Sequence, residues 1–177
     1  MSTTTTTTTT TKTTRLLLGL VAISATTALL SGCSVIQQFI GGGDATRDET
    51  GAVVEGTEAG DVFLLQVGDC INDSDLDEVV TTLPIVPCDE PHDSEIYSET
   101  TLVGDAYPGD DVVSTQADEA CYGAFAAFVG LDYESSVLEY YPFTPLAEGW
   151  AQGDHLVSCV IYDPNTQTTG SLAGAAR

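Results

Sequence analysis

Basic side chains are the scarcest feature of this sequence. Its 177 residues include only 4 Lys and Arg against 27 Asp and Glu, which gives a formal net charge of −23. A chain this acidic cannot replace the counterions of a polyanion, so a nucleic-acid partner is excluded. The motifs C-x-x-C, G-x-S-x-G and H-E-x-x-H are also missing, which argues against a zinc knuckle, a serine hydrolase and a zinc protease. We therefore predict no cofactor and no enzymatic activity.

Residues 1–32 have the pattern of an export signal. Lys12 and Arg15 make the start positive, and the uncharged run 16–30 follows. This run is shorter than the roughly 20 apolar residues with which a helix spans a bilayer. The tetrapeptide L-S-G-C that ends at Cys33 resembles the lipobox of bacterial lipoproteins. The resemblance implies cleavage before Cys33 and attachment of acyl chains such as palmitate to its thiol.

The rest of the chain divides by composition into a linker and a folded part. Residues 33–60 combine glycine and acidic residues without hydrophobic periodicity, so we expect a lipidated N-terminus and a flexible acidic linker. Residues 61–177 suffice for one small core, of a size at which disulfides contribute substantially to stability. Anionic headgroups would repel so acidic a body, so the lipid must hold it at the extracytoplasmic face of the cell membrane.

Four cysteines lie in the folded part, and an even number in a small exported domain predicts two disulfides. They are Cys70, Cys88, Cys121 and Cys159. Four cysteines allow three pairings. We favour Cys70–Cys88, because these residues flank one predicted strand and its loop, together with Cys121–Cys159, which would join a helix to a strand.

Hydrophobic periodicity predicts an α+β fold, a small disulfide-stapled domain with a mostly antiparallel sheet packed on one main helix. The helix is expected to begin near Ser114 as its N-cap and to end at Gly130. The most strand-like run is Leu156–Tyr162. Further strands are expected at 61–67, 79–86, 95–103, 137–141 (before Pro142) and around Leu172, with a helical turn at Thr144-Pro145.

The run Pro91-His92-Asp93-Ser94-Glu95 is the most chemically suggestive part of the sequence. A histidine beside carboxylates suits a general base, a metal ligand or a pH switch. We favour a structural role, in which a ring nitrogen of His92 fixes a neighbouring turn, because no nucleophile or metal pattern accompanies it. His92 and Glu95 remain candidate functional residues.

Two further segments are candidate binding sites. The acidic run from Asp73 to Glu78 alternates carboxylates as calcium loops do, but Glu78 and Pro84 stand where such a loop requires Gly and Glu. A solvated acidic loop is therefore favoured over a loose Ca²⁺ site. Trp150 and the aromatic run 140–143 could line a groove for a peptide or glycan, although core packing explains them better.

Several motifs occur in an order that resembles the septum formation family of actinobacterial cell-surface proteins. They are Gly68-Asp69-Cys70, the run VPCDEPHDSE at 86–95, Cys121 with FVG at 128–130, Pro145, Trp150, Gly153-Asp154 and VSC at 157–159. The resemblance covers about residues 67–172 and implies an extracytoplasmic domain without established enzymatic activity. His155 stands where the family usually has Arg, which puts in doubt an ion pair at that position.

Taken together, these features predict a lipid-anchored extracytoplasmic protein with a non-catalytic interaction role in the cell envelope. The link to septum formation and cell division comes from the resemblance alone. The predicted partners are the membrane, through the lipid, and an unknown envelope protein or cell-wall component. Two other classes remain as alternatives: a Ca²⁺-binding module, and an envelope hydrolase that uses His92 with neighbouring carboxylates.

Overall fold

The structure is a computed structural model that describes residues 44–74 and 79–177. The predictions for the export signal and Cys33 therefore lie outside the described residues, as does the acidic segment 75–78. The described residues form strands β1 (Thr46–Arg47), β2 (Val53–Glu55), β3 (Thr57–Asp61), β4 (Cys70–Ile71), β5 (Thr82–Val86), β6 (Ser94–Thr101), β7 (Glu139–Phe143) and β8 (Leu156–Tyr162), and helices α1 (Asp110–Val129) and α2 (Ala147–Trp150). Strands β1 and β2 pair with each other, and the other six form one antiparallel sheet in the order β3-β5-β4-β6-β8-β7.

Strand β8 shows that this sheet is buried on both faces. It pairs with β6 and with β7, and its residues 157–161 are all buried. Neighbouring side chains of a strand point to opposite faces. Val157 and Cys159 contact the core beneath α1, on what we call the helix face, whereas Val160 contacts a second core on what we call the N-terminal face. The predicted α+β architecture is thus confirmed, and β8 has the bounds expected from its sequence.

The two cores differ in size and in what covers them. The helix face is covered by α1, and its buried residues are Tyr97, Leu102, Val113, Ala117, Cys121, Phe125, Val129, Leu138, Trp150, Val157, Cys159, Ile161 and Leu172. The N-terminal face is covered by residues from the beginning of the described chain, and its buried residues are Ala45, Val53, Leu65, Ile71, Leu83, Ile85, Ile96 and Val160.

Helix α1 buries one side chain every four residues, from Val113 to Val129, which is close to one helical turn. It begins after Gly109, so the predicted N-cap at Ser114 is wrong. The earlier start places Asp110 and Asp111 in the first turn, where the helix dipole favours negative charge. The predicted end is confirmed, since Gly130 closes the helix with a φ of 80°.

Both favoured disulfide pairings are confirmed. Cys121 of α1 bonds to Cys159 of β8 with a Cα–Cα distance of 5.4 Å, and Cys70 bonds to Cys88 at 5.3 Å. The first disulfide joins the helix to the middle of the sheet. The second closes a shorter loop around β5.

The beginning of the folded part differs from its prediction. The strand expected at 61–67 is wrong, because β3 ends at Asp61, whose Oδ1 accepts a hydrogen bond from the backbone N–H of Phe63 at 2.9 Å and starts a 3-10 turn. Residues 44–60, which composition assigned to the linker, form β1, β2 and part of β3, and bury Ala45 and Val53. Packing in this structure therefore begins before residue 61.

Three smaller differences lie near the end of the chain. Strand β7 continues through Pro142, which an edge strand tolerates because one side of it lacks a hydrogen-bonded neighbour. The helical turn expected at Thr144-Pro145 begins instead at Ala147. Leu172 is buried in the helix-face core, but it lies in no strand.

Candidate functional site

His92 is completely buried, and both of its ring nitrogens are hydrogen-bonded. Nδ1 lies 2.8 Å from the carbonyl oxygen of Glu90 and donates to it, so in the neutral ring Nε2 accepts from the hydroxyl of Thr168 at 3.0 Å. The backbones of His92 and Thr168 also exchange two hydrogen bonds, of 3.0 and 2.9 Å. His92 thus holds a distant segment in place, and neither nitrogen is free to bind a substrate or a metal.

Glu95 binds the same segment three residues further along the chain. Its side chain is 1% exposed, Oε1 accepts from the hydroxyl of Ser171 at 2.7 Å, and Oε2 accepts from the backbone N–H of Leu172 at 2.7 Å. Both carboxylate oxygens are therefore used. The candidate residues His92 and Glu95 are thus brought together, and both bind the chain that follows β8. We call this pair of residues the clasp.

We call residues 163–177 the C-terminal strap. Beyond the clasp, the N–H of Gly174 donates to the carbonyl of Phe128 at 2.7 Å, and the N–H of Ala176 donates to that of Val129 at 2.9 Å. These bonds satisfy carbonyl groups at the end of α1 that have no partner inside the helix. The strap therefore joins the start of β6 to the end of α1.

Asp93 lies between the two clasp residues and organises the loop after β4. Its Oδ2 accepts from the backbone N–H groups of Asp73 and Ser74, both at 3.1 Å, and its Oδ1 accepts from the side chain of Gln167 at 2.9 Å. Burial alone would raise the pKa of Asp93, but these hydrogen bonds outweigh burial and lower it.

Asp73 has the opposite electrostatic environment. Burial raises its pKa, the hydrogen bond from the Ser94 hydroxyl at 2.8 Å opposes that rise, and the nearby charge of Asp93 adds to it. The next acidic residues of the predicted loop, 75–78, lie outside the described part of the chain. Among residues 44–74 and 79–177, no three acidic, His or Cys side chains are grouped so that they could hold a metal.

Trp150 is 3% exposed and packs in the helix-face core, so it lines no groove. The ring of His155 stacks on it with a centroid distance of 4.0 Å and an interplanar angle of 16°, and Tyr107 meets its edge at 5.6 Å. The imidazole of His155 therefore makes a flat contact with the indole of Trp150.

Sequence analysis missed a buried ion pair that involves Arg47. The guanidinium binds both carboxylate oxygens of Asp69, with Nη2 2.7 Å from Oδ2, and Asp69 is 1% exposed. The hydrogen bond to Asp69 raises the pKa of Arg47. Arg177, which is more exposed, makes a single contact with Asp163 at 2.9 Å. The signal was present in the sequence, since these are the only basic residues after Cys33.

One concave surface in the described structure lies away from the clasp. It is a shallow cleft of about 400 Å³ between the end of β6 and α1, lined by residues 100–103 with Gln116, Glu119 and Ala120. Neither His92 nor Glu95 reaches it. Within the described residues, no helix combines the length and apolarity needed to cross a membrane.

A protein-family model described as Septum formation matches residues 31–159, which is more than half of the chain. The match runs from the residues just before Cys33 to the second cysteine of the helix-to-sheet disulfide. The C-terminal strap, with its contacts to His92 and Glu95, lies beyond the matched residues. Comparison with curated proteins and with solved structures finds no match.

Proposed function

The chain belongs to the septum formation family, and from this premise we propose that it is a lipid-anchored, extracytoplasmic protein with a non-catalytic binding role in septum formation. Family membership supports the link to septum formation. The export signal and lipobox support anchoring through Cys33, and two disulfides suit an oxidising compartment outside the cytoplasm.

The observation that supports the non-catalytic role is that the polar side-chain atoms of His92 and Glu95 are already occupied within the protein. Both ring nitrogens of His92 and both carboxylate oxygens of Glu95 are hydrogen-bonded to the protein itself. A general base needs a free lone pair within hydrogen-bonding reach of the substrate. The most suggestive residues of the sequence therefore support the fold, and an envelope hydrolase based on His92 is disfavoured.

The anchoring is tested in cells that lack the native protein. Wild-type protein and Ser31→Ala, which keeps a small residue before the cysteine, should both yield a lipid-modified N-terminal peptide that begins at Cys33. Cys33→Ala should abolish this modification and release the protein from the membrane fraction. Mass spectrometry of the purified protein measures the first result, and an unmodified Cys33 in the wild type would refute the anchoring.

The binding role is tested by crosslinking in living cells followed by mass spectrometry, with septum number and position scored in parallel. Wild-type protein should crosslink to an envelope component and restore normal septa. His92→Asn should also restore them wherever circular dichroism shows that the variant is folded. A folded His92→Asn protein that fails to restore septa, while still crosslinking normally, would favour the hydrolase instead.

A further inference from the structure

A turn beside the N-terminal face exposes several large apolar side chains. Phe63, Leu64 and Val67 are 59%, 51% and 53% exposed, whereas Leu65 between them is 5% exposed and buried in the N-terminal core. Single exposed apolar residues are ordinary, but this turn carries three within five positions. We call Phe63, Leu64 and Val67 the apolar turn. Its anchor at Leu65 fixes it to the core while the three side chains face outward.

The described chain begins beside this turn. Ala45 packs in the same core as Leu65, and Arg47 binds Asp69, which in turn accepts a hydrogen bond from the backbone N–H of Gln66 at 2.8 Å. The chain from Cys33 to Asp44 can reach at most about 40 Å when fully extended. A membrane that holds a lipid on Cys33 is therefore within reach of the apolar turn.

We propose that the apolar turn inserts into the interface of the bilayer that holds the Cys33 lipid. This inference rests on the proposed lipid anchoring. Apolar side chains gain free energy at the boundary between headgroups and acyl chains, and a second membrane contact adds to the attachment that the lipid provides. The turn orients the domain so that the N-terminal face is near the membrane and α1 faces away from it.

Charge determines which occupant fits the turn. Asp61 and Glu58 lie just before it, and no Lys follows Cys33 in the sequence. Two copies of the domain that met at this turn would bring acidic surfaces together and repel each other. A zwitterionic lipid surface imposes no such repulsion, so a bilayer fits the turn better than a second copy does, and the contact weakens as anionic lipid is added.

The test places tryptophan on the turn and on the opposite side of the domain. Phe63→Trp reports on the turn, and Val112→Trp, 42% exposed on α1, is the matched control. Each lipidated, full-length mature protein is reconstituted in phosphatidylcholine vesicles with and without brominated acyl chains, which quench nearby tryptophan. The lipidated wild type measures the constant background from buried Trp150. We expect the added signal of Phe63→Trp to fall by about half or more, and that of Val112→Trp to be unchanged.

Each other outcome overturns the inference. Equal quenching of both variants would mean that the domain lies on the membrane without this orientation. The absence of quenching in both would mean that the turn stays in water. A blue-shifted emission of Phe63→Trp without quenching would mean that protein, either another segment or a second copy, covers the turn. The mass of each protein is measured first, so a missing lipid on Cys33 is recognised as failure of the proposed anchoring.

Discussion

The helix face of the sheet is covered by a 20-residue helix, whereas the N-terminal face is covered by short strands and a turn. On the helix face, a disulfide joins α1 to β8, and the hydroxyl of Tyr97 donates to the carbonyl of Cys121 at 2.6 Å. On the other face, small side chains such as Ala45 and Val53 complete the core and Phe63 stays exposed. The difference indicates a rigid side that supports the fold and a less enclosed side that is free to meet a surface.

Several tyrosine hydroxyls on the helix face are paired with carboxylates. The hydroxyl of Tyr133 donates to Glu139, and this bond together with burial raises the pKa of Tyr133 to about 12. Tyr140 donates to Asp118 at 2.8 Å. In a chain with so few cations, tyrosine hydroxyls pair with carboxylates that lysine would neutralise elsewhere. The N-terminal segment instead combines the core contacts of Ala45 and Val53 with an ion pair between Arg47 and Asp69.

Among the changes that compare the two faces of the sheet, breaking the Arg47–Asp69 ion pair should reduce stability most. Arg47→Gln leaves the carboxylate of Asp69 buried without a countercharge, so we expect a loss of about 3 kcal/mol in the free energy of unfolding. Urea denaturation with the disulfides intact measures the loss. Residues before β3 should also become more sensitive to protease, because the pair joins them to the turn that precedes β4.

The second basic residue provides the control. Arg177→Gln breaks the pair with Asp163, but the side chain of Arg177 is 43% exposed, so the expected loss is below about 1 kcal/mol. Similar losses for the two variants would show that the N-terminal segment does not depend on its ion pair, and the contrast between the two sides of the sheet would weaken.

A matched pair of valines on one strand compares the cores directly. Val157 and Val160 of β8 are both 0% exposed, and they belong to the helix-face and N-terminal cores respectively. Val157→Ala should cost about 2 kcal/mol, and Val160→Ala about 1 kcal/mol, because short covering segments can collapse into the cavity more easily than a disulfide-linked helix. Urea denaturation measures both, and an equal or larger cost for Val160→Ala would contradict the difference between the two cores.

Local patterns were sufficient for the parts of the fold that bury a regular face. The β8 run is hydrophobic at nearly every position because both faces of its sheet are covered, and α1 repeats a buried residue every four positions. Both disulfides followed from placing Cys121 on a helix, Cys159 in a strand, and Cys70 and Cys88 around one loop. These features depend on neighbours in the sequence, so the sequence alone was informative.

Contacts between distant residues explain what sequence analysis missed. Thr168 and Ser171 are 76 residues from their partners His92 and Glu95, and no periodicity marks such a pair. Arg47 lies in a segment whose acidic, glycine-rich composition is typical of a linker, and its partner Asp69 is 22 residues away. The chemistry of the run 91–95 singled out His92 and Glu95, and predicted that His92 fixes a neighbouring turn, without indicating that both residues hold the strap.

The smallest expected effect concerns Asp73 and Asp93, the two carboxylates near the acidic loop. Replacing each by Asn should change the pH dependence of stability in opposite directions. Asp73 bonds to Ser94, which shares its face of β6 with Ile96 of the N-terminal core. Because burial raises the pKa of Asp73 in the folded state, its charged form costs stability above that pKa, and the cost vanishes below the unfolded value. Asp73→Asn should therefore gain stability at pH 7, relative to its effect at pH 3, by less than about 1 kcal/mol.

Asp93 is the matched control, because its pKa is lowered although it lies beside Asp73. A lowered pKa means that the charged form contributes stability above the unfolded value, and that this contribution is lost as the pH falls through the folded value. Asp93→Asn should thus lose stability at pH 7 and lose less at pH 3. Urea denaturation at both pH values measures the two trends, and trends of the same sign would show that burial and hydrogen bonding do not separate these neighbours. Opposite trends would show that burial makes the charge of Asp73 costly, whereas hydrogen bonds, including the one from Gln167 of the strap, stabilise the charge of Asp93.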